Sequence, residues 1–351
     1  MALENQLPRQ GLTLNGRWSR RRVLGLSAVP LCSMVWPMVS RAAVGSLKGP
    51  VRIGLIADLH HDLMHDGPER MQAFADSMKE HELDAVMQLG DFAYPNEKNR
   101  AVIDQFNSLH KKSLHVIGNH DTDAGHTKQQ CLDVWGMPKR YYTADVGGVQ
   151  LVVLDCNEKG SPTHQGGYPT YVGKEQLEWL REQLATLTGP IVVASHQPLA
   201  GAVPIDNAEQ VQEVLSAAAD KVILAINGHT HIDDVLVIGG VRYMHLNSAS
   251  YAYLGGNYQH FSYPKEIHAK HKVLEFTCPY RQALFAVLSI DPETLTVTIE
   301  GRETEWVGQS PAELKVADRP NMVVGEEIVC EIRDRELERA NSRTSKAPAT
   351  S

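Results

Sequence analysis

Residues 224–234 read LAINGHTHIDD, an apolar run that stops at Asn227-Gly228 and then sets down His229, Thr230, His231, Asp233 and Asp234. Side chains two apart on an extended segment face the same side, so His229 and His231 can offer two imidazoles to one place. An ordinary polar strand end has the same pattern, and the decision rests on whether other strands end alike. They do. VRIGLIAD (51–58), AVMQLGD (85–91), LHVIGNH (114–120), IVVASH (191–196) and VILAINGH (222–229) are aliphatic, β-branched runs of strand length. Each closes on a side chain able to bind a metal: Asp58 and His60, Asp91, Asn119 with His120 and Asp121, His196, and His229 with His231. In open α/β sheets, sites form beyond the carboxyl ends of the strands. A single Asp-x-His or strand-end histidine is usually structural. Five such ends in one chain predict a shared site.

Between the strands lie amphipathic stretches of helical period, PERMQAFADSMKEH (68–81), EKNRAVIDQFNSLHK (97–111), KEQLEWLREQLATL (174–187) and NAEQVQEVLSAAAD (207–220). Strand alternating with helix predicts parallel pairing with helices packed on the sheets. YYTADVGGVQLVVLD (141–155) and DDVLVIGGVRYMHLN (233–247) instead read as hairpins closed by Gly-Gly, so the sheets should be mixed. Residues 251–280 are rich in Tyr, Gly and His and too long for a mere connection, which makes them a candidate lid. ALFAVLSI (283–290) and TLTVTIEG (294–301) restore two strands, and after about Pro311 the chain turns polar, ending in a tail of disordered composition. The expected division is an export signal over 1–43, one catalytic domain over 48–310 and a polar extension over 311–351.

Of 351 residues, 42% are hydrophobic and 22% charged, as in soluble globular proteins. Arg20-Arg21-Arg22 precedes an apolar stretch from Val23 to Val39, with small residues around Ser40 and Ala42. This resembles a twin-arginine export signal and implies a periplasmic or extracellular protein; an uncleaved anchor is the alternative, although Pro30 and Pro37 interrupt the stretch. The first 42 residues carry six arginines and one glutamate, a net +5, which leaves −13 on the rest of a chain of net −8. Such an acidic body disfavours a nucleic-acid polymer or an anionic membrane as partner and suits a protein that binds cations. Beyond Cys32 there are four cysteines and no C-x-x-C pair, so a thiolate zinc site is not expected.

The ordered series D-x-H, G-D, G-N-H-D, H, G-H-x-H resembles the calcineurin-like metallophosphoesterase superfamily over about 51–250, every block being present. The resemblance implies a four-layer α/β/β/α sandwich of two mixed sheets flanked by helices, with a two-metal site between strand ends. Asp58, His60 and His231 would hold one metal; Asn119, His196 and His229 the other; Asp91 would bridge them. Mixed oxygen and imidazole donors suit Mn, Fe or Zn. Two such ions can clamp both oxygens of an in-line displacement and acidify a shared water to hydroxide. His120 would protonate the leaving alkoxide, with Asp121 orienting it. The implied activity is hydrolysis of a small phosphoester, a phosphodiester by the D-x-H block; a phosphomonoesterase or a non-catalytic metal-stabilised binding protein are the alternatives. Oligomeric state is not implied.

Two features compete. GDFAY (90–94) matches a block in purple acid phosphatases whose tyrosine binds iron, but those enzymes lack a histidine at the position of His60, so Tyr94 is expected to pack. HTHIDD is one residue short of the metallo-β-lactamase motif and comes last among the blocks rather than early.

Overall fold

The computed structural model describes residues 47–339; the export segment at 1–43 and the tail from 340 lie outside the described residues. The chain runs β1 (Val51–Ile56), α1 (Gly67–Met78), β2 (Ala85–Gln88), α2 (Arg100–Ser108), β3 (Ser113–His115) and α3 (Lys128–Trp135). It continues through β4 (Tyr142–Val146), β5 (Val149–Val153), α4 (Lys174–Thr186), β6 (Ile191–Ala194), α5 (Ala208–Ser216), β7 (Val222–Asn227), β8 (Asp234–Ile238) and β9 (Val241–His245). Then come β10 (Tyr251–Tyr253), α6 (Lys265–Lys270), β11 (Thr277–Pro279), β12 (Ala286–Ile290), β13 (Val297–Glu300), β14 (Arg302–Glu303), β15 (Glu331–Ile332) and β16 (Arg335–Leu337).

Two six-stranded sheets form, in the orders β16-β13-β12-β1-β2-β3 and β4-β5-β6-β7-β9-β8. Both are mixed. β1, β2 and β3 pair in parallel, as do β5, β6, β7 and β9, while the outer pairs are antiparallel. The inner strands β6 (IVVA) and β7 (VILAIN) of the second sheet are apolar almost throughout and fully buried because both faces are covered. Val152, Leu154, Ile191 and Val193 pack with Leu177, Leu180, Val211 and Leu215 of α4 and α5. The alternate residues Leu151, Val153, Val192 and Ala194 join the core shared with the first sheet. On the other side Phe74, Met78, Phe106 and Trp135 of α1, α2 and α3 belong to that same core. The result is the predicted α/β sandwich of two mixed sheets flanked by helices.

Both Gly-Gly hairpins form as expected. Gly147-Gly148 (φ 62° and 96°) and Gly239-Gly240 (φ 58° and 81°) supply the paired positive φ of two-residue turns, with Val146 opposite Val149 and Ile238 opposite Val241.

The boundary expected at residue 310 does not hold. β16 pairs with β13 at the edge of the first sheet, β15 pairs with β14, and Arg333 and Arg335 reach the buried carboxylate of Asp233. These strands are two and three residues long, too short for a period; Ile332 and Leu337 enter the core and the ion pairs to Asp233 add a polar anchor. The stretch 251–280 is likewise no open loop: β10 and β11 pair across it and α6 lies between them. Among the described residues no helix is long and apolar enough to cross a membrane.

Candidate metal centre

The loops leaving β1, β2, β3, β6 and β7 meet. Asp58, His60 and His231 each bring one donor atom within 4.8 Å of the others, and Asp91, His196 and His229 form a second such group. Asp91 lies between the groups: its Oδ2 is 3.2 Å from His196 Nε2 and 3.8 Å from His60 Nε2. The Asn119 side-chain oxygen is 3.1 Å from His196 Nε2, on the side of the second group. Asp58 Oδ1 stands 3.3 Å from His231 Nε2, whose partner His60 Nε2 is 3.2 Å away.

The backbone pays for this convergence. Asp58, His60, Asp91, His229 and His231 all have positive φ, between 47° and 70°. Non-glycine residues rarely adopt that region, at a cost of roughly 1–3 kcal/mol each, and it persists only where surroundings over-determine it. They do so here. Asp58 N–H donates to the Gly90 carbonyl (3.1 Å), His60 N–H to Asp91 (2.8 Å) and His61 N–H to Phe92 (3.0 Å), tying the β1 and β2 loops side by side. Ser248 Oγ donates to the Asp58 carbonyl and Ser250 Oγ to that of Leu59. The motif glycines are required by space: a Cβ on Gly118 would run into Asp91, and one on Gly228 into the Asp58 carboxylate.

The donor set fits metal ions. His196 Nδ1 must donate to the Leu89 carbonyl (2.8 Å) and His231 Nδ1 to that of Tyr251 (2.7 Å), because a carbonyl can only accept. With Nδ1–H committed outward, each ring turns its Nε2 inward, the outer contact fixing the ring's orientation. Burial holds His60 and His229 well below the usual histidine range, which keeps them neutral. Burial lifts the Asp91 carboxyl, but His196, His120 and His60 outweigh it and keep Asp91 ionised. For His196 burial acts downward, and the Asp91 charge reverses it, pushing the imidazole up to about 9. Carboxylate and imidazole donors without thiolate suit Mn, Fe or Zn.

All nine residues expected from the sequence lie in this neighbourhood, with one role corrected. Asp121 does not hold His120. It is buried and accepts the backbone N–H groups of Asp91 (2.9 Å), Phe92 (2.8 Å) and Gly118 (2.7 Å), bracing the loops that carry Asp91 and Asn119. The partner of His120 is Asp123, whose Oδ2 accepts from Nδ1 at 2.7 Å. His120 opens a 3₁₀ turn, in which residues i and i+3 stack, so Asp123 falls beside the ring and Asp121 points inward. A second carboxylate at i+3 in HDTD was the available signal.

Tyr94 packs, as expected. Its ring stacks on His126 with centroids 5.0 Å apart, and burial together with Asp123 pushes the phenol up to about 12. Asp234 opens β8, but Asp233 is no part of that strand; it is buried and held by Arg333 and Arg335. Tyr251, which opens the Tyr-rich stretch singled out in the sequence without a role of its own, stacks its ring on His60 (5.0 Å, 18°); sequence reasoning missed Tyr168, whose hydroxyl reaches Asp123. Neither sits in a motif.

The family model for calcineurin-like phosphoesterases matches residues 51–233, more than half of the chain. The solved structure of a dimetal phosphatase from Danio rerio is 16% identical, covers 74% of this chain and 99% of its own, and superposes with a TM-score of 0.50. GAP50, the anchor in the inner membrane complex of Plasmodium, is 14% identical, covers 75% and 90%, and has a TM-score of 0.47. No curated protein sequence matches the chain. The chain belongs to the calcineurin-like phosphoesterases. It is a metal-dependent phosphoester hydrolase with a dinuclear site.

Proposed function

We propose that this hydrolase is a phosphodiesterase in which Asp58, His60 and His231 hold one metal, Asn119, His196 and His229 hold the second, and Asp91 is shared. The observation that carries the ligand assignment is the position of Asp91 Oδ2, within 3.8 Å of both donor groups. When bound, the two ions supply Lewis acidity to the phosphoryl oxygens and to water. The chain supplies the rest. His120 has its Nδ1 on Asp123, and its ring stands edge-on to His60 at 5.3 Å, so its free Nε2 edge serves the leaving oxygen as proton donor. Its side chain is 25% exposed, whereas Asp58 and Asp91 are at most 3% exposed, as expected of a group that meets substrate rather than ion.

The diester preference is supported by the D-x-H block formed by Asp58 and His60. Metal analysis of the purified protein should give two ions per chain. Assay with added Mn should favour a nitrophenyl bis-ester over the monoester; a large monoester preference would overturn the diesterase reading. We also propose that the segment 1–43 exports the protein. Lysines in place of Arg20 and Arg21 should then retain it in the cytoplasm, and unchanged export would dismiss the signal.

A further inference from the structure

Asp233 stands two residues beyond His231, and its carboxylate is buried. Its partners come from the far end of the chain. Arg335 reaches both carboxylate oxygens at 2.7 Å from 102 residues away, and Arg333 reaches Oδ2 at 3.2 Å. The Asp233 backbone N–H donates to the Glu327 carbonyl at 3.0 Å. The same arm grips a second turn. Asn247 Nδ2 donates to the carbonyls of Val329 (2.9 Å) and Glu331 (3.0 Å), while its Oδ1 accepts from the Ser248 backbone N–H (2.8 Å). Ser248 Oγ in turn donates to the Asp58 carbonyl (3.0 Å), and Ser250 Oγ to that of Leu59 (2.6 Å).

These contacts are one-sided. Asp58, His60 and His231 make up the first donor group, and each lies within two residues of a group that the arm holds directly or through Ser248 and Ser250. Their backbones, at φ 52°, 47° and 52°, keep that conformation only while the surroundings over-determine it. Among the described residues, no hydrogen bond or ion pair joins 311–339 to the loops that carry Asn119 and His196. Those loops are held instead by Asp121, through the Gly118 N–H, and by the Leu89 carbonyl, through His196 Nδ1. His229 shares the turn with His231, but its backbone N–H is taken by the Asp58 carboxylate.

We propose that the C-terminal arm, through Arg333, Arg335 and the carbonyls of Glu327, Val329 and Glu331, positions the ligands of the first metal and sets the affinity of that position alone. The proposal rests on the ligand assignment made above. The arm touches no ion; it fixes the two turns that hold Asp58, His60 and His231 in place. Without its cations the buried carboxylate of Asp233 is left unpaired and turns toward water, taking the turn of His231 with it.

The test titrates Mn into metal-free protein and follows both ions by equilibrium dialysis. His231→Ala and His196→Ala identify the positions, since each should cost one ion and leave the other. Arg335→Met should weaken one ion by about 10-fold, the lower end of what lost outer contacts cost, and leave the other within about 2-fold. The ion affected should be the one missing in His231→Ala, so adding Arg335→Met to His231→Ala should change nothing further in metal binding. Arg335→Lys keeps the charge without the bidentate contact and should fall between the parent and Arg335→Met. Arg333→Gln removes a longer contact from a side chain that is 36% exposed, so it keeps the test open should Arg335→Met fold poorly. It should show a smaller loss on the same ion. Equal weakening of both ions, or of neither, in the arm variants would overturn the proposal while each single-ligand variant still loses one ion. If His231→Ala or His196→Ala loses both ions or none, the ligand assignment fails and the proposal fails with it.

Discussion

The metal cradle and the His120 relay are neighbours built on different principles. In the cradle, the proposed ligands come from the ends of strands in both sheets, all but half-buried His229 are buried, and five of the seven have strained backbones held by hydrogen bonds between loops. In the relay, three partly exposed side chains hold one another, and two of them come from loops rather than strand ends. Electrostatic convergence needs a rigid frame, because like donors brought together repel until a cation joins them. Delivering a proton needs one ring at one angle, which two hydrogen bonds can fix. Damage to the cradle should therefore touch every property of the protein, and damage to the relay only the step that needs a proton.

The largest effect expected is from Asp91→Ala. Removing the shared carboxylate should lower activity on all substrates by on the order of 10³-fold or more, since groups acting as a unit fail together. Metal content should fall as well, and retention of two ions with near-normal activity would break the cradle side of the contrast. Metal removal comes next. With ions at ~10³ times their dissociation constant, binding adds about 4 kcal/mol to stability. Dialysis against a chelator should thus lower Tm by several degrees, and an unchanged Tm would mean that the cradle is stable without ions.

Arg335→Met probes whether the C-terminal arm belongs to the cradle. Arg335 makes a bidentate contact with buried Asp233 (2.7 Å to each oxygen), two residues beyond His231. Leaving that carboxylate with Arg333 alone should cost about 3 kcal/mol, read by denaturant unfolding, because breaking a buried pair strands the other charge. A change under about 0.5 kcal/mol would place the arm outside the cooperative unit.

The smallest effect concerns pH. Burial lowers His115 to about 3 and His245 to about 4. His115 is 1% exposed and stacks on Trp135 at 5.4 Å, so it is folded neutral and must gain a proton on unfolding. A lowered histidine contributes nothing unfavourable above its unfolded value near 6.5, and stability falls as pH drops below that value toward the folded one. By pH 5 His115 alone should cost about 2 kcal/mol. His115→Gln should show a shallower loss of unfolding free energy between pH 7 and pH 5 than the parent; equal slopes would refute the assignment.

Legibility differed between the two regions for a physical reason. Each cradle residue follows an apolar run of strand length, and burial forces that run into a sheet, so its carboxyl end is predictable from local pattern. Asp58, His60, Asp91, Asn119, His196, His229 and His231 were readable this way. Asp123 was not separated from Asp121, because only the 3₁₀ turn after Asn119 decides which of two nearby carboxylates meets the ring. Tyr168 and Tyr251 carry no pattern, being placed by where a long loop and a short strand happen to return.

The amino-acid sequence by itself determined the alternation of strands and helices, the two glycine hairpins, the family and the residues that gather at the strand ends. All of these follow from hydrophobic period and turn chemistry, which act over a few residues. Tertiary structure alone decided that Asp121 braces backbone amides, that Asp123 and Tyr168 hold His120, and that Arg333 and Arg335 tie residues beyond 310 back to Asp233. Such partnerships are chosen by the directions of loops brought together from distant parts of the chain, and a buried polar group takes whichever partner those directions bring within reach.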